Sequence, residues 1–442
     1  MPGPVQRRRP HFLFQSYRLL PGLKEQERRM RTYSPPADKS ITIRALLLAA
    51  IASGNSRVEN PLICADTEAA LACLEALGVR HSPDGNAIII EGRGLGGLKM
   101  PAGPLDAGES GALARLLAGL LAAQPFPSGI TGRGTLLKRP MAETAAALTK
   151  IGARISTAGG LLPFAIKPAL IKGGAVSGVK SAQVKSALLL AGLYAMRPVE
   201  IKQAVPTRDH TERLLTLLGG RLTAGGNKLK LEAGPLTARP VTVPGDISSA
   251  APFIAAALLA GKPLKITGCG LNPLRLGFIA ALRRMGAKIN IKTDRGFPEP
   301  AGEIEVLPSK LKAVKINPAE IPAMIDEVPL LALLAGAAAG NTVIGGVDAL
   351  RGKESDRVES ALALLAALGV KAAYKRGSLL VTGARKFSAK AAIDTFDDHR
   401  IAMAAAAARA ACPGLKIRNP GCVNKSYPGF WKDFRRVFSF SS

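Results

Sequence analysis

Aromatic side chains are scarce in this chain of 442 residues. Phe, Trp and Tyr make up 4% of it, and there is a single Trp. Proteins that bind single-stranded nucleic acids usually stack the bases on aromatic rings, so the chain has little from which to build such a platform. The hydrophobic fraction of 47% is therefore mostly aliphatic. It predicts a globular core of closely packed helices and strands, and it excludes a disordered or fibrous protein.

Cysteine and histidine are also few, with five Cys and four His. No two cysteines stand at the C-x-x-C spacing of redox and zinc sites, and no histidine lies near them at a ligand spacing. We interpret the cysteines as small buried hydrophobic residues in a reducing, cytoplasmic compartment. The sequence predicts no metal site.

The chain lacks an apolar run that could cross a membrane. The longest candidate, Val328 to Val347, is interrupted by Gly336, Gly340 and Asn341, which predicts a helix followed by a strand. Residues 1–31 carry seven Arg and one Lys without the apolar segment of a secretory signal. We interpret residues 1–31 as an N-terminal extension outside the fold, and we expect no membrane partner.

Acidic residues are outnumbered, because 32 Asp and Glu face 60 Lys and Arg and leave a net charge of +28. Such a charge is typical of proteins that bind the phosphate backbone, so a non-catalytic basic RNA-binding protein stays an alternative. The cations are dispersed along the chain, however. A pocket for an anionic metabolite on a generally basic surface explains the charge equally well, and we expect no nucleic acid partner.

A pattern of helices, strands and glycine turns recurs at intervals of 67 to 83 residues. Each repeat predicts an apolar helix, a strand, an amphipathic helix ending at a glycine, and two further strands. The glycines are Gly78, Gly152, Gly219, Gly286 and Gly369. Glycine suits this position because the residue after a helix often adopts the left-handed conformation. Six βαβαββ units, the last one truncated, predict an α/β fold of two similar domains with an interdomain cleft.

The domain boundary is expected near a change of composition at Val243-Pro244-Gly245. We predict a substrate domain of three units over residues 39–243. Residues 32–38 together with 244–442 are predicted to form the second domain of three units. The apolar first helices are predicted over residues 44–51, 112–121, 182–193, 249–259, 329–339 and 400–411.

Cations and hydroxyl groups stand at the predicted starts of these helices. Lys39, Ser40 and Arg44 open the first one, where free backbone N–H groups and the helix dipole favour an anion. Further cations lie in Arg115, Lys138-Arg139, Lys353 to Arg357, His399-Arg400 and Lys425. Brought together by the fold, these side chains would form a pocket for a small, multiply charged anion.

In order along the chain, these motifs resemble those of the 5-enolpyruvylshikimate-3-phosphate synthase family of enolpyruvyl transferases. The resemblance rests on Asp38-Lys39-Ser40, Gly108 to Arg115, Leu137-Lys138-Arg139-Pro140, Ser181-Ala182-Gln183-Val184-Lys185-Ser186, Thr207 to Glu212, Lys353 to Arg357, and Asp398-His399-Arg400. It implies an inside-out α/β barrel and transfer of the enolpyruvyl group of phosphoenolpyruvate to the 5-hydroxyl of shikimate 3-phosphate. That reaction releases phosphate and belongs to chorismate and aromatic amino acid biosynthesis. The resemblance further implies no cofactor, closure of the two domains, and glyphosate as an inhibitor; we expect a monomer.

The resemblance also implies roles for individual residues. Shikimate 3-phosphate would be held by Lys39, Ser40, Arg44, Ser181, Ala182, Gln183, Arg208, Asp326 and Lys353. Phosphoenolpyruvate would be held by Lys39, Gly111, Arg139, Gln183, Arg357, Arg400 and Lys425, since guanidinium forks suit carboxylate and phosphate groups. Asp326 would be the base, and Glu354, helped by Lys39, would be the proton donor.

Two motifs depart from the family pattern. Glu109 stands where Asn is usual, beside the expected phosphoenolpyruvate pocket, and Ile43 replaces the Asn or His before Arg44. A divergent enolpyruvyl transferase acting on another cyclic alcohol therefore stays open. The related enzyme acting on UDP-N-acetylglucosamine is disfavoured, because its loop cysteine is replaced by Gly134.

Overall fold

The computed structural model describes residues 30–438 except 385 and 390. The α-helices are α1 (Lys39–Ala50), α2 (Ala65–Ala76), α3 (Gly111–Leu121), α4 (Ala142–Lys150), α5 (Ala182–Gly192), α6 (His210–Leu217), α7 (Ile247–Ala260), α8 (Gly277–Arg284), α9 (Val328–Ala337), α10 (Arg357–Ala367), α11 (His399–Ala408) and α12 (Phe430–Phe438). None of the helices in these residues is long and apolar enough to cross a membrane.

The strands are short and fall into small sheets. They are β1 (Arg31–Tyr33), β2 (Ala52–Glu59), β3 (His81–Asp84), β4 (Ala87–Arg93), β5 (Leu105–Asp106), β6 (Ser128–Thr131), β7 (Arg154–Ala158), β8 (Leu161–Lys167), β9 (Gly174–Val179), β10 (Val199–Gln203), β11 (Leu222–Gly225), β12 (Lys228–Leu231), β13 (Leu236–Thr237), β14 (Val241–Thr242), β15 (Leu264–Gly270), β16 (Lys288–Arg295), β17 (Ala301–Leu307), β18 (Lys315–Ile316), β19 (Asn341–Gly345), β20 (Ala372–Lys375), β21 (Ser378–Thr382), β22 (Ile393–Asp394) and β23 (Ile417–Arg418).

The same sheet recurs along the chain, as the repeat predicts. The sheet orders β5-β6-β8-β7, β9-β10-β12-β11 and β18-β19-β21-β20 each join one parallel pair to an antiparallel hairpin. The sixth unit is truncated to the parallel pair β22-β23. The predicted repeat of α/β units is therefore present in the structure.

The glycine turns of the repeat are left-handed. The φ angles of Gly78, Gly152, Gly219, Gly286 and Gly369 lie between 73° and 108°. Each glycine directly follows the residue that caps an amphipathic helix, so the predicted helix ends are confirmed within one residue.

One strand near the start of the described residues pairs with the later part of the chain. Strand β1 pairs in parallel with β15, whereas β13 and β14 pair in parallel with β2. Arg31 is aligned with Leu264 in the first of these pairs. The extension predicted for residues 1–31 therefore ends too late: Arg31 already belongs to the fold, and residues 1–29 lie outside the described part of the chain.

Two hydrophobic cores follow from this arrangement. One contains buried residues between Ala37 and Val243, and the other contains Tyr33 together with buried residues between Ile247 and Phe438. We call the parts of the chain that build them the N-terminal half and the C-terminal half. Their central helices are largely apolar, and most of their residues are buried.

Candidate active site

Acidic and hydroxyl side chains cap the helices that carry the predicted site residues. Asp38 Oδ1 accepts from Ile41 N at 2.9 Å at the start of α1, and Ser181 Oγ accepts from Gln183 N at 3.2 Å at the start of α5. Asp398 Oδ1 accepts from Arg400 N at 2.8 Å at the start of α11. These caps satisfy free N–H groups of the first turns and fix the residues that follow.

Contacts between side chains bring the helix starts of the N-terminal half together. Arg44 of α1 donates to Ser186 Oγ of α5 at 3.2 Å and to Thr211 Oγ1 of α6 at 2.9 Å. Arg115 of α3 donates to Gln183 Oε1 at 2.6 Å. The first turns of α1, α3 and α5 therefore border one region.

Arg44, a predicted ligand of shikimate 3-phosphate, makes hydrogen bonds from all three guanidinium nitrogens. Its residue is 4% exposed, and its third nitrogen, Nη1, donates to Ser40 O at 2.8 Å. Burial lowers the pKa of Arg44 to about 10, against the opposing effect of Asp38 and Glu212. The guanidinium thus joins the first turn of α1 to α5 and α6.

A buried arginine organises the C-terminal half. Arg357, whose side chain is 1% exposed, donates to Asp326 at 2.9 Å, to Glu354 at 2.6 Å and to Asp398 at 2.8 Å. A buried guanidinium needs such partners, because an unpaired buried charge is strongly destabilising. We call Arg357 and these three carboxylates the cleft cluster.

Three ion pairs join the cleft region of one half to the other. Arg208 Nη2 lies 2.8 Å from Asp326, and Arg139 Nη2 lies 3.4 Å from Glu354. Lys425 Nζ lies 3.1 Å from Glu109. Each pair combines one residue of the N-terminal half with one of the C-terminal half, so the predicted site residues of both halves face the same cleft.

The remaining predicted cations adjoin the same carboxylates. The charges of Lys353 and Arg400 act on Asp326, and that of Lys39 couples to Glu354. Lys39 Nζ also lies 2.8 Å from Asp66, and Arg400 Nη1 donates to Ser248 O at 2.9 Å.

This concentration of positive charge keeps both proposed catalytic carboxyl groups ionised. Burial alone would raise the pKa of Asp326, but Arg208, Lys353 and Arg400 outweigh burial and hold it well below its usual range. Burial would likewise raise the pKa of Glu354, and Arg357 and Arg139 hold it well below the usual range. Asp66 raises the pKa of Lys39 against the effect of burial, so Lys39 is protonated.

The start of α3 is crowded by guanidinium groups. A β-carbon on Gly111 would lie 2.8 Å from Arg115 Nη1 and 3.2 Å from Arg139 Nη1. Glycine at this position therefore leaves the space beside two cations open. Ser181 and Ala182 lie half-buried at the neighbouring start of α5.

The sequence motifs do not assign a role to some residues of the site. Asp66 pairs with Lys39, Thr135 accepts from Arg139 at 3.0 Å, and Asp397 lies 2.7 Å from Lys425. Arg115, which the sequence places among the cations of the pocket without a specific role, stands four residues after Gly111 and donates to Gly111 O at 3.0 Å.

The arrangement favours binding of two anions side by side. Several cations converge on a cleft whose own carboxylates neutralise them, and none of the described residues forms a group of three or more metal-ligating side chains. Two negatively charged reactants would repel each other in water, and a cationic cleft offsets this repulsion. A carboxylate beside each reactant could then move protons.

Comparisons with known proteins agree with this chemistry. The family model of EPSP synthase (3-phosphoshikimate 1-carboxyvinyltransferase) matches residues 26–434. The chain is 42% identical to the 3-phosphoshikimate 1-carboxyvinyltransferase of Pelotomaculum thermopropionicum over 407 residues, 90% of this chain and 94% of the relative. It is 41% identical to that of Thermus thermophilus, covering 92% of this chain and 96% of the relative.

Solved structures show the same fold. EPSP synthase from Acinetobacter baumannii superposes with a TM-score of 0.80 at 35% identity, covering 92% of this chain and 96% of that one. The enolpyruvyl transferase NikO from Streptomyces tendae superposes with a TM-score of 0.71 at 19% identity, covering 92% and 95%. The predicted fold class is confirmed, and the chain belongs to the EPSP synthase family of enolpyruvyl transferases.

Proposed function

We propose that this protein transfers the enolpyruvyl group of phosphoenolpyruvate to the 5-hydroxyl of shikimate 3-phosphate and releases phosphate. Its relatives are named for this reaction. The observation that carries the proposal is the set of ion pairs across the cleft, in which Asp326 and Glu354 neutralise cations of both halves. Asp326 and Glu354 are thus paired with the cations to which two anionic substrates would bind.

The acceptor is proposed to bind against the N-terminal half. Arg208 would exchange Asp326 for the phosphate of shikimate 3-phosphate, which is a better match for a forked guanidinium donor. Ser40, Ser181, Ala182 and Gln183 at the starts of α1 and α5, together with Lys39 and Lys353, would contact the rest of the molecule. Arg44 would support this surface from beneath, as its hydrogen bonds to Ser40, Ser186 and Thr211 suggest.

Phosphoenolpyruvate is proposed to bind between Arg139, Arg357, Arg400 and Lys425. Arg139 and Arg357 both contact Glu354, so an anion that engages them replaces this carboxylate as their partner. Gly111 and Gln183 would border the ligand on the side of α3 and α5, where the absent side chain of Gly111 leaves room.

Transfer requires addition across the double bond of phosphoenolpyruvate, followed by elimination. In the addition, the 5-hydroxyl oxygen bonds to the carbon that carries the phosphate, and its proton goes to Asp326. The methylene carbon takes a proton from Glu354, assisted by the Lys39 ammonium group. In the elimination the new methyl group returns a proton to Glu354, the C–O bond to phosphate breaks, and the phosphate leaves with the proton that Asp326 took up. Substrate binding prepares both groups, because withdrawing Arg208 from Asp326 and Arg139 from Glu354 raises their pKa. Holding both reactants in register removes much of the entropic barrier.

We further propose that the N-terminal half, residues 39–243, and residues 32–38 with 244–442 are two domains that close over the substrates. The separate cores support this division, and the pairing of β1 with β15 places residues 32–33 with the second domain. The charged pairs across the cleft suit closure, since a dry cleft strengthens their interactions. We propose that the protein acts in the cytoplasm as a monomer, without a nucleic acid partner.

Phosphate release by the purified full-length chain tests the reaction. We expect release only when shikimate 3-phosphate and phosphoenolpyruvate are both present, and we expect Asp326→Asn to reduce the rate by about 100-fold or more. The unfolding temperature of the variant checks that it is folded. Phosphate release with another cyclic alcohol, but not with shikimate 3-phosphate, would show that the enzyme uses a different acceptor. Tight, salt-dependent RNA binding without phosphate release would contradict the proposed reaction and favour an RNA-binding protein.

A further inference from the structure

Glu109 occupies a position between the two halves of the cleft. It precedes α3 in the N-terminal half, and its Oε2 accepts from Thr135 Oγ1 at 2.9 Å and from Thr135 N at 3.3 Å. The same oxygen lies 3.1 Å from Lys425 Nζ of the C-terminal half. The carboxylate therefore joins a loop of one half to a cation of the other.

The hydrogen bonds of Thr135 extend this contact to a second cation. Thr135 Oγ1 donates to Glu109 and accepts from Arg139 Nη2 at 3.0 Å. Because the Thr135 hydroxyl has one proton, its bond to Glu109 turns its lone pairs toward Arg139. Glu109 thus orients Arg139 through Thr135 while it contacts Lys425 directly.

Hydrogen bonds and an ion pair stabilise the negative charge of Glu109. Burial would raise its pKa, but the hydrogen bonds from Thr135 and Lys425 outweigh burial and lower it. The Lys425 ammonium has a second partner, Asp397 of its own half, at 2.7 Å. Glu109 is therefore an ionised partner of this cation.

Gly134 provides the space for this side chain. The φ angle of Gly134 is 56°, and a β-carbon there would lie 2.6 Å from the carboxyl carbon of Glu109. The three nearest atoms to that position all belong to Glu109. A side chain at position 134 would displace the carboxylate, so the observed position of Glu109 requires glycine at position 134. We call this pair of residues, Glu109 and Gly134, the steric unit.

We propose that Glu109 is a positioning residue that holds Lys425 and, through Thr135, Arg139 in place for phosphoenolpyruvate. This inference rests on the proposed function. Simple repulsion between a carboxylate and an anionic substrate would make the substrate bind more tightly once the charge is removed. The inference predicts the opposite: removing the charge weakens phosphoenolpyruvate binding, because Lys425 loses its ionic partner in the N-terminal half.

The test compares Glu109→Gln with the wild-type protein in steady-state kinetics. The glutamine keeps an acceptor for Thr135 but presents no charge to Lys425. We expect the KM for phosphoenolpyruvate to rise about tenfold, the effect of one charge-assisted hydrogen bond. The KM for shikimate 3-phosphate should stay unchanged. A wild-type or lower KM for phosphoenolpyruvate would overturn the inference.

Glu143→Gln is the matched control. Glu143 is an exposed carboxylate of the same half, at the start of α4, and it acts on Arg115 only through its charge. Its neutralisation removes one negative charge without breaking a contact to Lys425 or Thr135. We expect this variant to keep the wild-type KM for phosphoenolpyruvate, and an equal rise in both variants would assign the effect to net charge.

Gly134→Ala tests the steric unit. We expect this variant to raise the KM for phosphoenolpyruvate in the wild-type background but to add little in a Glu109→Ala background, where the obstructing carboxylate is gone. Equal effects in both backgrounds would mean that backbone strain at Gly134 alone is responsible.

A binding measurement keeps this inference separate from the proposed function. Absence of phosphate release by the wild-type protein would overturn the function. Calorimetric titration of phosphoenolpyruvate into wild-type and Glu109→Gln protein saturated with shikimate 3-phosphate would still test the position of Glu109. Where the wild-type protein turns over, the same titration uses glyphosate, which is not consumed, and equal dissociation constants in the two proteins would overturn the inference.

Discussion

Two buried arginines, Arg275 and Arg357, have similar surroundings and different positions in the molecule. Arg275 Nη1 lies 3.0 Å from Asp38, and its Nη2 lies 3.0 Å from Asp246 and donates to Ser248 Oγ at 2.7 Å. We call these residues, with His210 at 3.2 Å from Arg275 Nη1, the crossover cluster. It joins the caps of α1 and α7 where the chain passes between the halves.

The two clusters differ in how exposed their carboxylates are and in which further groups these carboxylates contact. The side chains of Asp38 and Asp246 are 5% and 10% exposed, and each also caps a helix, so little of the carboxylate surface in the crossover cluster reaches solvent. Asp326 and Glu354 of the cleft cluster are 16% and 17% exposed, and they reach Arg208 and Arg139 of the other half. A buried arginine alone therefore does not indicate a binding site. The cleft cluster indicates one because its carboxylates also pair with further cations at an open cleft.

Arg275→Lys and Arg357→Lys test this contrast directly. Both variants keep the positive charge but lose the guanidinium fork. We expect Arg275→Lys to lower the free energy of unfolding by about 2–4 kcal/mol, since charged hydrogen bonds at two helix caps are lost. We expect Arg357→Lys to lower kcat/KM by about 100-fold, because an ammonium group cannot hold Glu354 and a substrate anion in the same geometry.

Urea unfolding and steady-state kinetics are to be measured on both variants. Arg409→Lys is the control, because the half-buried Arg409 side chain donates to the backbone oxygen of Leu415 at 3.0 Å and belongs to neither cluster. It should change neither quantity appreciably. If Arg357→Lys kept its turnover and lost as much stability as Arg275→Lys, the two clusters would have the same structural role.

The fold was largely predictable because its signals are local and repeated. Gly78, Gly152 and Gly286 mark helix ends by a backbone conformation that other residues rarely adopt, so they report structure wherever they occur. Apolar helices such as α7 and α11 identify themselves by the absence of a polar face. Pairing of β1 with β15 is different, since it joins residues more than 200 positions apart and has no local signal.

The site was predictable as a set of cations but not as a set of contacts. Helix starts and family motifs located Lys39, Arg139 and Arg357, whereas their partners depend on how the units pack. Nothing in the sequence around Asp66 or Arg275 distinguishes them from ordinary surface charges. Arg44 shows the same limit, because its place beneath Ser40 follows from contacts with Ser186 and Thr211 in another unit.

The histidines of the two clusters provide a smaller test. His210 bonds through both ring nitrogens, to Glu299 at 2.8 Å and to Arg275 at 3.2 Å. His399 follows Asp398 in the cleft cluster, and among the described residues no hydrogen-bond partner reaches its Nδ1. Burial, reinforced by Arg400, lowers the pKa of His399 to about 3.

The sign of the resulting pH dependence follows from the two states. Below about pH 6.5 the unfolded chain binds a proton at His399 that the folded protein does not, so stability is lost as the pH falls. We expect His399 to make the wild-type protein about 1 kcal/mol less stable to urea at pH 5.5 than at pH 7.5. This share of the pH dependence should be missing in His399→Gln. An unchanged pH dependence in the variant would show that His399 is charged in the folded protein.

The finest test concerns protons taken up by the cleft cluster on ligand binding. Arg357 and Arg139 hold the pKa of Glu354 down against burial, so an anion that engages both raises this pKa again. Glyphosate carries carboxylate and phosphonate groups and cannot be turned over, and its titration into protein saturated with shikimate 3-phosphate in buffers of different ionisation enthalpy measures the protons bound. We expect the protein to take up a fraction of a proton when the ligand binds. This uptake should increase from pH 7 to pH 5.5 and should be reduced in Glu354→Gln.

Asp246→Asn is the matched variant from the crossover cluster. Its carboxylate exchanges no partner with the ligand, so the proton uptake should remain. Equal uptake in wild-type and Glu354→Gln protein would mean that Glu354 does not respond to the ligand and is no better placed to donate a proton than the carboxylates around Arg275.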